Sequence, residues 1–285
     1  MDKSNRIILL RPERFSYNPE TAISNRFQVS DNISDIDTGA LALIEFNALI
    51  TALSLHNIDF EILKEAPNDA LPDSVFLNNW FCFCEQQLIL FPMESSIRRK
   101  ERRKIILEQV LKLGSDYETI DLTEYESNNK YLEGTGSVVF DHRNRIAYCA
   151  ESTRSNVEVF NNLCESISYK AILFKSSDEN GYPIYHTNVL MSVGNKIAVL
   201  CEDVIEKNDR KRLKHELNEN GYEILIITYE QLTNFCANCL LVRNRENEYH
   251  WIMSERAYRH FDENQISTLL KDGKIIKAKI PTIEK

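Results

Sequence analysis

From residue 75 onward the chain repeats one hydrophobic signature. An apolar run opens with small or amide residues, a polar turn follows, then a second apolar run, then a segment with the apolar spacing of a helix. The runs read VFLNNWFCF–EQQ–LILFPM, LEGTGSVVF–DHRNR–IAYCA, YHTNVLMSV–GNK–IAVLC and FCANCLLV–RNRENE–YHWIMS. The helical segments are RRKERRKIILEQVLKLG, SNVEVFNNLCESI, NDRKRLKHELNENG and ERAYRHFDENQISTLLKDG. In the first of these, Ile105, Ile106, Val110 and Leu113 are expected on one inward face. A further short strand closes each unit: YETIDL, KAILF, EILIITY and KIIKAKI. Between the equivalent positions Asn79, Gly136, Asn188 and Asn238 the steps are 57, 52 and 50 residues. A β-β-α-β unit recurring at this period predicts a stacked or closed repeat architecture. One more step from Asn238 runs just past Lys285, where a fifth unit is expected to open.

No Pro/Gly/Ser-rich linker divides the 285 residues, which carry only 8 Gly and 7 Pro, so residues 1–285 are expected to form one domain. A hydrophobic content of 43% with 27% charged residues argues against a disordered, collagen-like or coiled-coil chain. The net charge of -9 argues against a general nucleic-acid binder. The cysteines number 7, an odd count that fits reduced, packed thiols better than a disulfide scaffold. Cys236 and Cys239 form a CxxC inside an apolar run, and no second CxxC accompanies them to make a zinc site. The N-terminal MDKSNRIILLRPER has too short an apolar stretch for a signal peptide, and no run approaches the ~20 apolar residues of a membrane helix. The chain is expected to be cytoplasmic, with neither membrane nor nucleic-acid partners.

Glu133 and His186 open equivalent strands in the second and third copies. If the repeats surround an axis, both reach one cavity, and a carboxylate–imidazole pair there is a general acid/base arrangement. A capping glutamate and a satisfied core histidine give the same sequence, and the residues alone leave both readings open. Asn78, Asn79 and Asn188 share these strand openings, as turn ties or ligand contacts. Arg98 and Arg154 precede helices, where positive charge gains nothing from the helix dipole. Two arginines there could clamp a carboxylate, or simply face solvent. The other histidines make no HxxxH set, and no Gly-rich phosphate loop exists, so neither metal nor cofactor is expected.

PDSVFLNNW (Pro72–Trp80), RRKERR (Arg98–Arg103), LEGTGS (Leu132–Ser137), STRSN (Ser152–Asn156) and IYHTNV (Ile184–Val189) together resemble the guanidine-modifying enzyme superfamily. That superfamily includes arginine deiminase, dimethylarginine hydrolase and the amidinotransferases. LLRPERFSYNPETAISNRFQ near the start and IPTIEK at the end bring the chain nearest to the citrulline-utilization hydrolases. The resemblance implies the α/β pentein propeller, five β-β-α-β units about a pseudo-fivefold axis, with the last repeat incomplete here. It also implies covalent catalysis by a cysteine that attacks the central carbon of a guanidino or ureido group. On that basis His186 is the general acid/base and Glu133 holds the substrate nitrogen. Arg98 and Arg154 bind the substrate α-carboxylate, and Asp73 its α-amino group.

The chain departs from that pattern twice. Asn78, Asn79 and Asn188 stand where dimethylarginine hydrolases and deiminases carry acids. Amides suit a neutral ureido group better than a guanidinium, so citrulline, yielding ornithine, is the expected substrate. The family's cysteine lies in a Gly-Gly-Gly-Ser-x-x-Cys type strand after the segment matching IPTIEK, and none of the seven cysteines stands there. This chain is therefore expected to be inactive by itself. Two alternatives stand beside the citrulline hydrolase: a non-catalytic pentein that binds an amino acid or a protein, and an arginine or dimethylarginine deiminase-type enzyme or amidinotransferase. A homo-oligomer is left open.

Overall fold

The computed structural model describes residues 6–18, 20, 35–64 and 71–284. The N-terminal MDKSN, Pro19 and residues 21–28 of the LLRPERFSYNPETAISNRFQ motif, and Lys285 of IPTIEK lie outside them. The expected repeat is present four times among the described residues, each as a three-stranded sheet. The first holds β3 (Phe81–Cys84), β4 (Gln87–Leu90) and β5 (Glu118–Asp121). The second holds β6 (Val138–Asp141), β7 (Ile146–Ala150) and β8 (Lys170–Phe174). The third holds β9 (Met191–Val193), β10 (Ile197–Leu200) and β11 (Glu223–Ile226); the fourth holds β12 (Leu240–Arg243), β13 (Tyr249–Ser254) and β14 (Lys274–Ala278). In every one the first strand pairs antiparallel with the second, and the second pairs parallel with the third across a helical connection.

Residues 7–63 repeat the latter half of that unit. β1 (Ile7–Leu10) pairs in parallel with β2 (Phe60–Leu63) across α1 (Asp35–Leu55). Sequence periodicity passed over this unit, because among the described residues β1 pairs with β2 alone and belongs to no hairpin.

The middle strands β7 and β10 are buried along their whole length, as expected where helices cover one face and neighbouring sheets the other. The amphipathic helix α5 (Val157–Ile167) turns Val159, Phe160, Leu163, Cys164 and Ile167 inward. Asn156 starts it by accepting from the amides of Glu158 and Val159, and Ser168 ends it in the left-handed region at φ 57°. Two segments read as single helices are broken. The segment after β4 splits into α2 (Ser96–Arg99) and α3 (Lys104–Leu113), where Ile106 and Val110 are buried and Ile105 is turned out to solvent. The last divides at Asp262, whose capping box with Gln265 starts a new helix, α9 (Glu263–Leu270), after α8 (Glu255–His260). The strands themselves start later than the apolar runs suggest, because short helical turns open them.

The membrane expectation needs one correction. Thr38–Leu55 of α1 has a mean hydropathy of 1.6 over 18 residues, enough by length and composition to cross a bilayer. Scattered Asn, Thr and Glu side chains hide the run from a search for consecutive apolar residues. In the structure α1 packs on β14, and Leu53 joins Ile58 and Ile276 in a small core cluster.

Candidate active site

Helical turns at three successive strand openings build one pocket. Leu77–Asn79 precedes β3, Gly134–Ser137 precedes β6 and Thr187–Val189 precedes β9. The turns are tied to one another. Thr187 donates its hydroxyl to the carbonyl of Ser137 and accepts from the amide of Ala150. Ser137 donates to the carbonyl of Arg154 and accepts from the amide of Glu133. The glycines of LEGTGS permit this approach. Gly134 adopts φ +47°, and a Cβ there would run into the carbonyl of Asn78. A Cβ on Gly136 would stand 2.6 Å from Asn79 Nδ2 and 2.7 Å from His186 Nδ1.

Seven of the eight residues singled out in the sequence line a cavity of about 260 Å³: Asp73, Asn78, Asn79, Arg98, Arg154, His186 and Asn188. The eighth, Glu133, is 1% exposed and lies against His186, its Oε2 2.9 Å from the imidazole Nε2. Burial opposes the charge on Glu133, but Arg154 and His186 outweigh it and hold the carboxyl at about 2. Burial, helped by Arg154, pushes His186 below its ordinary value despite the carboxylate beside it. The lowered value favours the neutral imidazole, the form able to take a proton. Glu133 Oε1 accepts from the amide of Glu94, which fixes the carboxylate plane. Among the described residues, buried Asn188 Oδ1 has no hydrogen-bond partner, so it offers an acceptor to a ligand donor.

The two arginines sit differently from the expectation of open carboxylate clamps. Arg98 is 3% exposed and gives Nε and Nη2 to the two oxygens of Glu101 at 2.9 and 3.0 Å. Its Nη1 donates to Asn79 Oδ1 at 2.6 Å, and its Nη2 also reaches the carbonyl of Phe76. Burial works against its charge, and Glu101 with Asp73 more than offsets that, so its pKa is raised. Arg154 stands 3.3 Å from Glu133 Oε2 and 3.2 Å from Glu94 Oε2, with its guanidinium 5.0 Å above the ring of Tyr185. Asp73 accepts from Asn18 Nδ2 at 2.7 Å. Asn79 is likewise engaged, whereas Asn78 is exposed at the rim.

Sequence reasoning missed Asn18, Glu94, Glu101 and Tyr185. Glu101 had a signal, its i,i+3 spacing from Arg98 on a helical segment. Tyr185 adjoined the histidine in a motif already quoted. Asn18 also lay in a quoted motif, but nothing local ties it to Asp73, 55 residues away. Ile280, Ile283 and Glu284 also line the cavity, held there by Glu45 of α1, which accepts from the amides of Thr282 and Ile283. None of the seven free cysteines is among the lining residues.

The family model described as N,N dimethylarginine dimethylhydrolase, eukaryotic, matches residues 11–285. No curated protein sequence matches the chain. Among solved structures, ArgZ, an arginine dihydrolase from the ornithine-ammonia cycle in cyanobacteria, superposes with a TM-score of 0.77 at 14% identity over 98% of this chain. The chain spans 38% of that full-length protein and 93% of its separately solved N-terminal domain, which was determined bound to substrate. A dimethylarginine dimethylaminohydrolase in adduct with 4-chloro-2-hydroxymethylpyridine gives 0.66 at 19% identity, covering 98% of this chain and 93% of that one. At these identities the likeness speaks to the fold.

Proposed function

The chain belongs to the eukaryotic N,N dimethylarginine dimethylhydrolase family, and from that premise we propose that it carries the acid/base half of a hydrolase acting on the guanidino or ureido C–N bond of an arginine-related amino acid. The observation that carries the reading is the buried His186–Glu133 pair facing a cavity of amino-acid size. Within the class, citrulline is the substrate we favour. Glu133 is the carboxylate at the reacting end, and Arg154 already offsets it. A cationic guanidinium would need further anionic partners, whereas a neutral ureido group is served by the amides of Asn78 and Asn188. The family match supports a second reading, a methylated or free arginine substrate.

The nucleophile in this reading is a cysteine supplied beyond Lys285. Two features support it: the chain reaches the cavity at Ile283 and Glu284, and among the described residues the β1–β2 sheet has two strands where its counterparts have three. A strand on the free edge of β1 would complete a fifth unit of a closed pentein propeller. His186 takes the thiol proton as sulfur adds to the ureido carbon. The C–N bond breaks, the leaving ornithine amine receives that proton, and a carbamoyl group remains on sulfur. Water, deprotonated by His186, releases it as carbamate, which decomposes to ammonia and carbon dioxide.

The test reads the coding frame past codon 285 and assays the complete product for ornithine from citrulline, arginine and dimethylarginine. Highest kcat/KM on citrulline supports the favoured reading, and preference for arginine derivatives selects the second. A stop after Lys285, with amino-acid binding and no turnover, means a non-catalytic pentein.

A further inference from the structure

One oxygen of Glu133 is shared between two partners. His186 Nε2 lies 2.9 Å from Oε2, and Arg154 Nη1 lies 3.3 Å from the same atom. The other oxygen, Oε1, is occupied by the amide of Glu94. The charge that Oε2 offers to the imidazole therefore depends on how firmly the guanidinium is held there. Arg154 has a second acid within reach, Glu94, 3.2 Å from its Nε and with a half-buried side chain that meets water. Three contacts keep it on the buried one. The guanidinium lies over the ring of Tyr185, 5.0 Å from its centre. The His186 imidazole packs against that ring at 4.5 Å between centres. Ser152 sets the two backbones in register, donating its hydroxyl to the carbonyl of Tyr185 and accepting from the amide of Arg154. Tyr185, Arg154, Glu133 and His186 thus close a ring of contacts.

We infer that Tyr185 is a positioning residue for the hydrolysis proposed above: its ring holds Arg154 on Glu133 Oε2 and, through that oxygen, governs the proton on His186. The link to turnover rests on that functional reading, whereas the positioning is a property of this chain alone. The face of the ring matters here and the hydroxyl does not act as an acid or base, because burial pushes the phenol up to about 12 and keeps it protonated. The charged groups that face the imidazole are Glu133, Arg154 and Arg98. Without the ring, Arg154 is free to turn toward Glu94 and water. Oε2 is then left to the imidazole, and both changes favour the imidazolium.

A nuclear magnetic resonance titration of the His186 ring in this chain tests the positioning, with His186→Gln assigning the signal. In Tyr185→Leu, which keeps an apolar side chain but offers no ring face, the midpoint is expected to rise by about half a pH unit or more. Tyr185→Phe is expected to titrate as the parent chain does. Arg154→Gln is expected to raise the midpoint too, and adding Tyr185→Leu to it should move the midpoint little further. An unmoved midpoint in Tyr185→Leu, equal rises in the leucine and phenylalanine variants, or additive rises in the double variant would each overturn the role of the ring. Should Tyr185→Leu fail to fold, Ser152→Ala replaces it: a smaller rise supports the same device, and no rise overturns it. In the complete enzyme, Tyr185→Leu is expected to lower kcat roughly threefold or more with little change in KM, and to move the acid limb of the pH–rate profile upward with the titration. A moved titration beside an unchanged kcat overturns the role in turnover. A complete chain inert toward ureido and guanidino substrates alike overturns the functional reading instead, and the titration still decides the positioning.

Discussion

Glu101 was passed over in the sequence, and its removal gives the sharpest test of how the site is held. Arg98 is 3% exposed and donates to both oxygens of Glu101 at 2.9 and 3.0 Å. Replacing Glu101 with leucine leaves a buried guanidinium whose nearest remaining carboxylate is Asp73, 3.9 Å from Nε and already bonded to Asn18. Breaking a buried ion pair on one side costs about 3–5 kcal/mol. At roughly 2 cal/mol/K per residue, a chain of 285 residues has an unfolding entropy near 0.6 kcal/mol/K, so the midpoint should fall by about 5–8 °C. The exposed pair Arg259–Glu255 serves as control, and Glu255→Gln should cost less than about 1 kcal/mol. Calorimetry on Glu101→Leu, Arg98→Met and the double variant reads the outcome. The double variant is expected to be more stable than Arg98→Met alone, because it strands no charge. If the single effects simply add, or if Glu101→Leu melts with the control, Arg98 is not held by this pair and remains available to a ligand carboxylate.

In the complete enzyme, His186→Ala should abolish ornithine release while leaving far-UV circular dichroism unchanged; residual activity within tenfold of wild type would remove His186 from the chemistry. Gly136→Ala should reduce turnover at least as much as it weakens binding, because the methyl displaces His186; an unaltered rate would mean that the imidazole relaxes freely. Asn78→Asp, at the exposed rim, should move the kcat/KM ratio toward arginine, and a fixed ratio would make this amide a bystander. Stability should decline as pH falls. The folded Glu133 carboxyl sits at about 2 against an ordinary 4.5, a contribution of about 3 kcal/mol that is complete above the unfolded value and lost on approach to pH 2. His186, depressed by burial, adds to the same slope below its ordinary 6.5. Urea titrations at pH 7, 5 and 3 should show that Glu133→Gln lacks the part of this slope below pH 5.

The repeat was legible because each hairpin and helix announces itself within a window of about 20 residues, and the polar residues at strand openings were legible because they fall at equivalent places in successive units. β1 and β2 were not, since a parallel pair separated by a 21-residue helix leaves no local mark. The engagement of Arg98 was also hidden. A basic run at a helix start reads as solvated, whereas the Glu101 carboxylate and packing against Phe76 and Asn79 turn Arg98 inward. The helical turns at strand openings were missed because their apolar spacing merges with that of the strand.

Glu45 ties α1 to Thr282 and Ile283, and Ile7 and Leu9 pack in a cluster with Ile276. Part of the packing of this opening segment thus waits for residues such as Thr282, 237 positions after Glu45. Such distant pairings give a high contact order and slow closure. Until those residues emerge, the part of α1 that they cover stays open to water, which makes this helix a site for a chaperone on the nascent chain.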